Sequence, residues 1–95
     1  MHATSDRPVV TFYRKPDCHL CDDAELLLRD ELALRARAGQ VTATVRQVDI
    51  SQDPELTSRY GVRIPVLAVG DDELDLVTTS SQVRAFLTRT LPTVP

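Results

Sequence analysis

Two cysteines, Cys18 and Cys21, stand three positions apart and are the chain's only cysteines. Two cysteines placed at random in a chain of 95 residues fall at that spacing about 2% of the time, so the pair asks for a chemical reason. A disulfide closing so short a loop constrains little of the unfolded chain, which makes structural stapling a poor reading. A small protein held together by bridges would carry more cysteines closing longer loops. Zinc would need two further ligands, and only His2 near the terminus and His19 inside the motif are on offer, so no metal site is expected. Thiol–disulfide exchange remains: one thiolate attacks a disulfide sulfur, and the second thiol resolves the mixed disulfide that forms.

The elements around the pair decide which sulfur does which. Residues 8–14, PVVTFYR, are β-branched and aromatic and read as a strand, broken by Lys15-Pro16-Asp17. From Cys18 the period changes to that of a helix, with Leu20, Ala24, Leu27, Leu28 and Leu32 on one face, Asp17 as the expected N-cap and Gly39 as the stop. A helix N-terminus carries unpaired N–H groups and a partial positive charge, which favour thiolate over thiol. Cys18 is therefore expected to be the exposed attacking sulfur and Cys21, one turn inside, the resolving one. His19, if protonated, would stabilise the thiolate, whereas Asp17, Asp22 and Asp23 oppose it by roughly 0.5 kcal/mol each at ~8 Å in water. Together they offset much of the helix term, so a moderately favoured thiolate and a reducing protein are expected.

Further along, residues 43–50 read as a second strand, and Asp53-Pro54-Glu55 as the start of a short helix ended by Tyr60-Gly61. Val66–Val69 is an apolar run suited to a buried strand, Gly70-Asp71-Asp72 a turn, and Leu74–Val77 an alternating strand paired back on it. Thr79 and Gln82 are spaced as a capping box for a last helix bearing Val83, Phe86 and Leu87. The order is β-α-β-α-β-β-α. A strand–helix–strand unit implies parallel pairing and the hairpin antiparallel pairing, so the expected α/β architecture is a four-stranded mixed sheet with helices on both faces. Reactive groups in such sheets sit beyond the carboxyl ends of the parallel strands, where Cys18 falls.

Length allows one domain, read as residues 8–91 with tails at 1–7 and 92–95. Net charge is −3, with 11 Lys and Arg against 14 Asp and Glu, which argues against nucleic acid as a partner. No apolar run approaches a membrane span and no signal peptide precedes the domain, so a cytoplasmic, membrane-free protein is expected.

The run Thr11-Phe12-Tyr13-Arg14-Lys15-Pro16-Asp17-Cys18-His19-Leu20-Cys21-Asp22-Asp23-Ala24 resembles the opening of glutaredoxins, especially the small bacterial glutaredoxin-like proteins. Val48-Asp49-Ile50 with Asp53-Pro54-Glu55-Leu56 is similar to their second strand and helix. Tyr60-Gly61-Val62-Arg63-Ile64-Pro65-Val66-Leu67 resembles the segment before the cis-proline of glutaredoxins and thioredoxins. The resemblance implies a thioredoxin-like fold with Pro65 cis and facing the cysteines. The residues alone leave open a trans proline opening a strand, where its missing N–H is tolerated. It also implies that the Ile64 backbone pairs with bound peptide or glutathione, and that Lys15 steadies the thiolate or a glutathione carboxylate. The family's Gly-Gly-Asp glutathione contact should fall near Thr78-Thr79-Ser80-Ser81, where no Gly or Asp stands, so the glutathione motif is incomplete. No Trp precedes the pair and no Gly-Pro lies within it, which separates the chain from ordinary thioredoxin.

The expected function is dithiol–disulfide oxidoreduction on protein or small-molecule disulfides, with an unidentified thiol donor, no bound cofactor and a monomeric chain. The alternative is a thioredoxin-fold binding or redox-sensing module with little turnover.

Overall fold

The computed structural model describes residues 7–93. His2 and the expected tails, apart from Arg7, Pro92 and Thr93, lie outside them. Eight elements follow one another: β1 (Val9–Arg14), α1 (His19–Arg37), β2 (Thr44–Asp49), a single 3₁₀ turn (Ile50–Gln52), α2 (Pro54–Tyr60), β3 (Val66–Val69), β4 (Asp72–Leu74) and α3 (Ser80–Thr90). The strands form one mixed sheet in the order β2-β1-β3-β4. β1 and β2 run parallel, Val9 opposite Thr44 through Arg14 opposite Asp49, while β3 runs antiparallel to both β1 and β4.

Side chains alternate across a strand, and β1 uses both faces of the sheet. Val10 and Phe12 are fully buried in the core with Leu28 of α1 and Val83, Phe86 and Leu87 of α3. Tyr13 takes the other face and stacks on Tyr60 of α2, ring centroids 4.1 Å apart. The sheet is thereby covered on both sides, as the β-α-β-α-β-β-α order requires.

Local signals set several boundaries. α1 is stopped two residues past Arg37 by Gly39, whose φ of +72° is the left-handed conformation glycine adopts without penalty. Around it the Gly39 N–H donates to the Ala36 carbonyl and the Gln40 N–H to that of Arg35, the paired bonds of a Schellman cap. The Asp53 carboxylate accepts from the N–H groups of Glu55 and Leu56, with Pro54 in the first turn of α2. At α3, Thr79 Oγ1 accepts from the Gln82 N–H while Gln82 Oε1 accepts from the Thr79 N–H, the reciprocal box the spacing implies.

Three expectations need correction. The N-cap of α1 is Cys18, not Asp17: Asp17 sits at φ +56°, a conformation Asp tolerates, and its turn delivers the next residue to the capping position. Leu20 is half exposed rather than on the buried face, because the buried stripe of α1 runs Cys21, Ala24, Leu28, Glu31, Leu32 and starts one residue later. β4 spans Asp72–Leu74 rather than Leu74–Val77. Gly70, at φ +58°, makes a two-residue turn with Asp71, so pairing resumes at once with Asp72 opposite Val69. Leu76, at φ +50°, then cannot continue the strand.

Glu31 is buried on the α1 stripe, where an unpaired carboxylate would be costly. Arg84 of α3 neutralises it through two hydrogen bonds of 2.9 and 3.0 Å, tying the two helices together across 53 residues of sequence.

Candidate active site

Cys18 and Cys21 form a disulfide, with their Cα atoms 5.1 Å apart. Cys18, as N-cap, is partly exposed, and its Sγ accepts a hydrogen bond of 3.2 Å from the Cys21 N–H. An N–H aimed at that sulfur favours the negative charge it would carry when the bond opens. Cys21 is completely buried in the core. The two sulfurs thus differ in access, as their places at the cap and one turn inside imply.

The other predicted residues gather at the same end of the sheet. Lys15 and Asp17, in the loop between β1 and α1, and His19 in the first turn of α1 are all exposed. Tyr13 lies opposite Val66, so the Ile64–Pro65 segment enters β3 where β1 runs out toward Lys15 and Cys18. The Ile64–Pro65 bond is cis. Both residues are buried, and the Pro65 carbonyl accepts from the Val77 N–H at 3.1 Å, which brings the entry to α3 alongside. The Ile64 N–H donates to the Tyr60 carbonyl at 3.0 Å. Of the two main-chain groups the resemblance offers to a bound peptide, the amide is therefore engaged and the carbonyl is the one left.

Four features escaped the sequence reading. Arg14 reaches back across the start of α1 to Asp22 and Glu25, and Glu25 also accepts from Gln47 and Arg29. Asp22, one of the acids set against the thiolate, is thereby offset by a neighbouring guanidinium. Arg63 holds both carboxylate oxygens of Asp75, at 2.9 and 2.7 Å, and also bonds Glu73. Glu73 accepts in turn from the Tyr60 hydroxyl at 2.6 Å. Asp49, at the end of β2, caps Ser51 through its N–H and its hydroxyl. Gln82 Oε1 takes the Thr78 N–H at 2.7 Å as well as that of Thr79, so both amides at the entry to α3 are already satisfied. The last had a legible signal, the capping-box spacing, and Asp49 with Ser51 has the two-residue spacing of an Asx turn. The others join residues of different elements.

The Arg63 cluster clamps the loop before Pro65. The Tyr60 hydroxyl and then Arg63 hold the Glu73 carboxyl below its ordinary range, and Arg63 does the same for Asp75. Burial, then the bond to Glu73, pushes the Tyr60 phenol up, so it stays protonated and donating. Depressed carboxyl values stabilise the fold above the unfolded value of ~4, and that contribution is lost as pH falls through the folded values. We expect Arg63→Met to destabilise the fold at neutral pH, through loss of charged hydrogen bonds weakened by partial exposure. In urea titrations the wild type and variant should converge as the pH falls below the unfolded carboxyl value of ~4 and through the lowered folded values. A gap persisting at the acid end would assign the loss to packing of the Arg63 stem, whose guanidinium also lies 4.9 Å from the Tyr60 ring centroid.

Comparison with known proteins agrees with this geometry. The sequence model of the Glutaredoxin-like domain (DUF836) matches residues 9–88. A search of curated proteins gives no match. Among solved structures, the X-ray structure of the structural-genomics target protein XcR50 from X. campestris is 37% identical, covers 84% of this chain and 96% of its own, and superposes with a TM-score of 0.66. A malarial protein, 13% identical, covers 92% of this chain and all of its own at a TM-score of 0.59, a likeness of fold alone. A thioredoxin-like sheet, a Cys-x-x-Cys pair at the start of α1 and a family match spanning most of the sequence fit a redox role, and the chain belongs to the Glutaredoxin-like domain (DUF836) family.

Proposed function

We propose that the chain is a dithiol–disulfide oxidoreductase that reduces protein or small-molecule disulfides. The observation that carries this reading is the asymmetry of the pair: Cys18 partly exposed at a helix cap, Cys21 fully buried and bonded to it. The Cys18 thiolate attacks one sulfur of the substrate disulfide, forming a mixed disulfide and expelling the first substrate thiolate. The Cys21 thiolate then attacks Cys18 Sγ, closing the Cys18–Cys21 disulfide and expelling the second. Two electrons from a thiol donor restore the dithiol. Lys15, exposed three residues before Cys18, supplies positive charge for the thiolate or for a substrate carboxylate, with His19 as a second cation when protonated. Ile64 and Pro65 shape the opposite wall, the Ile64 carbonyl being the main-chain contact offered to substrate. The setting we propose is the cytoplasm, where donor thiols are kept reduced, and a monomer acting alone.

A single-turnover assay tests this. The pre-reduced protein, freed of reductant, should convert one equivalent of a model disulfide to thiols and finish with its own cysteines bonded, as read by mass. Cys18→Ser should convert none. A reduced wild type that leaves the disulfide untouched would favour the binding or sensing module.

A further inference from the structure

A small open pocket of about 230 Å³ is lined by Arg14, Lys15, Pro16, Gln47 and Asp49. It sits where the parallel strands β1 and β2 end, with Arg14 and Asp49 in register. Lys15 precedes Cys18 by three residues, so their Cα atoms stand at most about 10–11 Å apart. Drug-sized pockets run to ~300–1,000 Å³, and this one suits a fragment of amino-acid size.

Its charges are sorted by what already occupies them. Arg14 is spent on Asp22 and Glu25. Lys15 has no hydrogen bond or ion pair among the described residues and is the cation left to a ligand. Gln47 gives its amide N–H to Glu25, which leaves its carbonyl oxygen to accept. Asp49 is held as a carboxylate, chiefly by the Ser51 hydroxyl and amide, both at one oxygen. A carboxylate accepts about four hydrogen bonds, so capacity remains beside these and the lesser contribution of the Gln52 side chain. One wall thus offers an ammonium, and the other a carboxylate with a neighbouring amide carbonyl.

We propose that this pocket binds the zwitterionic head of an amino-acid disulfide, of which cystine is the simplest, its α-carboxylate on Lys15 and its α-ammonium on Asp49 and Gln47. The inference rests on the dithiol reading for its consequence, since the bound head would present the adjacent sulfur to Cys18. It sets a distance rule: the head must lie next to the sulfur, as in cystine, and not a γ-glutamyl chain away, as in glutathione disulfide.

The test uses the oxidised wild-type protein and three unreactive probes, followed by amide shifts in NMR titrations. S-methyl-L-cysteine carries both charges, 2-(methylthio)ethylamine the cation alone, and (methylthio)acetate the anion alone. Saturable shifts at Lys15, Gln47 and Asp49 are expected for S-methyl-L-cysteine, with affinity about tenfold weaker for each single-charge probe, the loss of one charge-assisted contact. Asp49→Asn should weaken S-methyl-L-cysteine about tenfold. Lys15→Gln, at an exposed position where folding is not at stake, should weaken S-methyl-L-cysteine and (methylthio)acetate but leave the amine probe unchanged. Equal affinity for all three probes, shifts elsewhere only, or no saturation overturns the proposal. Single-turnover reduction of cystine by the reduced protein is read separately. Pocket shifts without reduction uphold the pocket and defeat the dithiol reading, whereas reduction without pocket shifts does the reverse.

Discussion

In the reduced protein, iodoacetamide should alkylate Cys18 at least ~100-fold faster than Cys21. Cys21 has no exposed surface, so its reaction must wait for α1 to open locally. An opening that costs about 3 kcal/mol leaves it accessible less than ~1% of the time. Cys18 needs no such opening, and the Cys21 N–H already points at its sulfur. Electrostatics act in the same direction. Of the three aspartates flanking the pair, Asp22 is neutralised by Arg14, leaving Asp17 and Asp23 as the uncompensated opponents of the thiolate. Under substrate disulfide, Cys21→Ser should stop at a mixed disulfide on Cys18, because the nucleophile survives and the resolving sulfur is gone. Cys18→Ser should form no adduct, since its remaining thiol is buried. Comparable alkylation of the two cysteines, or an adduct trapped on Cys21 in Cys18→Ser, would reverse the assignment of roles.

Sequence and structure agree at three helix ends where the determining interaction is local. The Thr79–Gln82 box, the Gly39 stop and the Asp53-Pro54 start each depend on residues within one helical turn, and each is found. The same locality makes the cysteine pair readable, since strand, break and helix cap are contiguous in the chain. Apart from the α1 cap, which falls on Cys18 rather than Asp17, and Leu20, which lies off the buried stripe, the failures are of two physical kinds. β4 was misplaced because Leu74, Asp75, Leu76 and Val77 alternate as a strand should, whereas the turn length set by Gly70 and the left-handed backbone at Leu76 decide where pairing begins and ends. The charged clusters were missed because their members are brought together by the tertiary fold. Arg14 meets Glu25 across 11 residues, Arg63 meets Asp75 across 12, and Arg84 meets Glu31 across 53. No spacing rule covers such pairs. A buried glutamate on an otherwise apolar stripe, as at Glu31, is visible in the sequence as an anomaly, but its partner is not.

Glutathione should bind weakly, in the millimolar range, and a glutathione-coupled assay should give poor turnover. A tripeptide with two carboxylates needs a cation at one end and N–H donors with an acid at the other. Lys15 can serve the first. For the second, the resemblance points to the entry of α3, where a helix start could still offer backbone N–H groups without its usual Gly-Gly-Asp. The structure removes that option at two positions, since the Thr78 and Thr79 amides both donate to Gln82 Oε1. A ligand carboxylate there must displace a side-chain acceptor that also completes the cap of α3. β-Branched Thr78 and Thr79 also resist the open backbone a glycine pair would give. No aspartate stands at Thr78–Ser81 to meet the ligand's ammonium. Each lost charged hydrogen bond costs about 1.5–3 kcal/mol, so two losses weaken binding by ~10²-fold or more. Gln82→Ala separates the causes. Freeing the two amides should tighten glutathione binding several-fold if displacement of Gln82 is the main obstacle, even as loss of the cap costs the fold about 1 kcal/mol. No change in that variant would place the weakness in the missing glycines and aspartate instead. Micromolar binding to the wild type by titration calorimetry, abolished by Lys15→Ala, would mean that the α3 entry opens to the ligand despite its own hydrogen bonds.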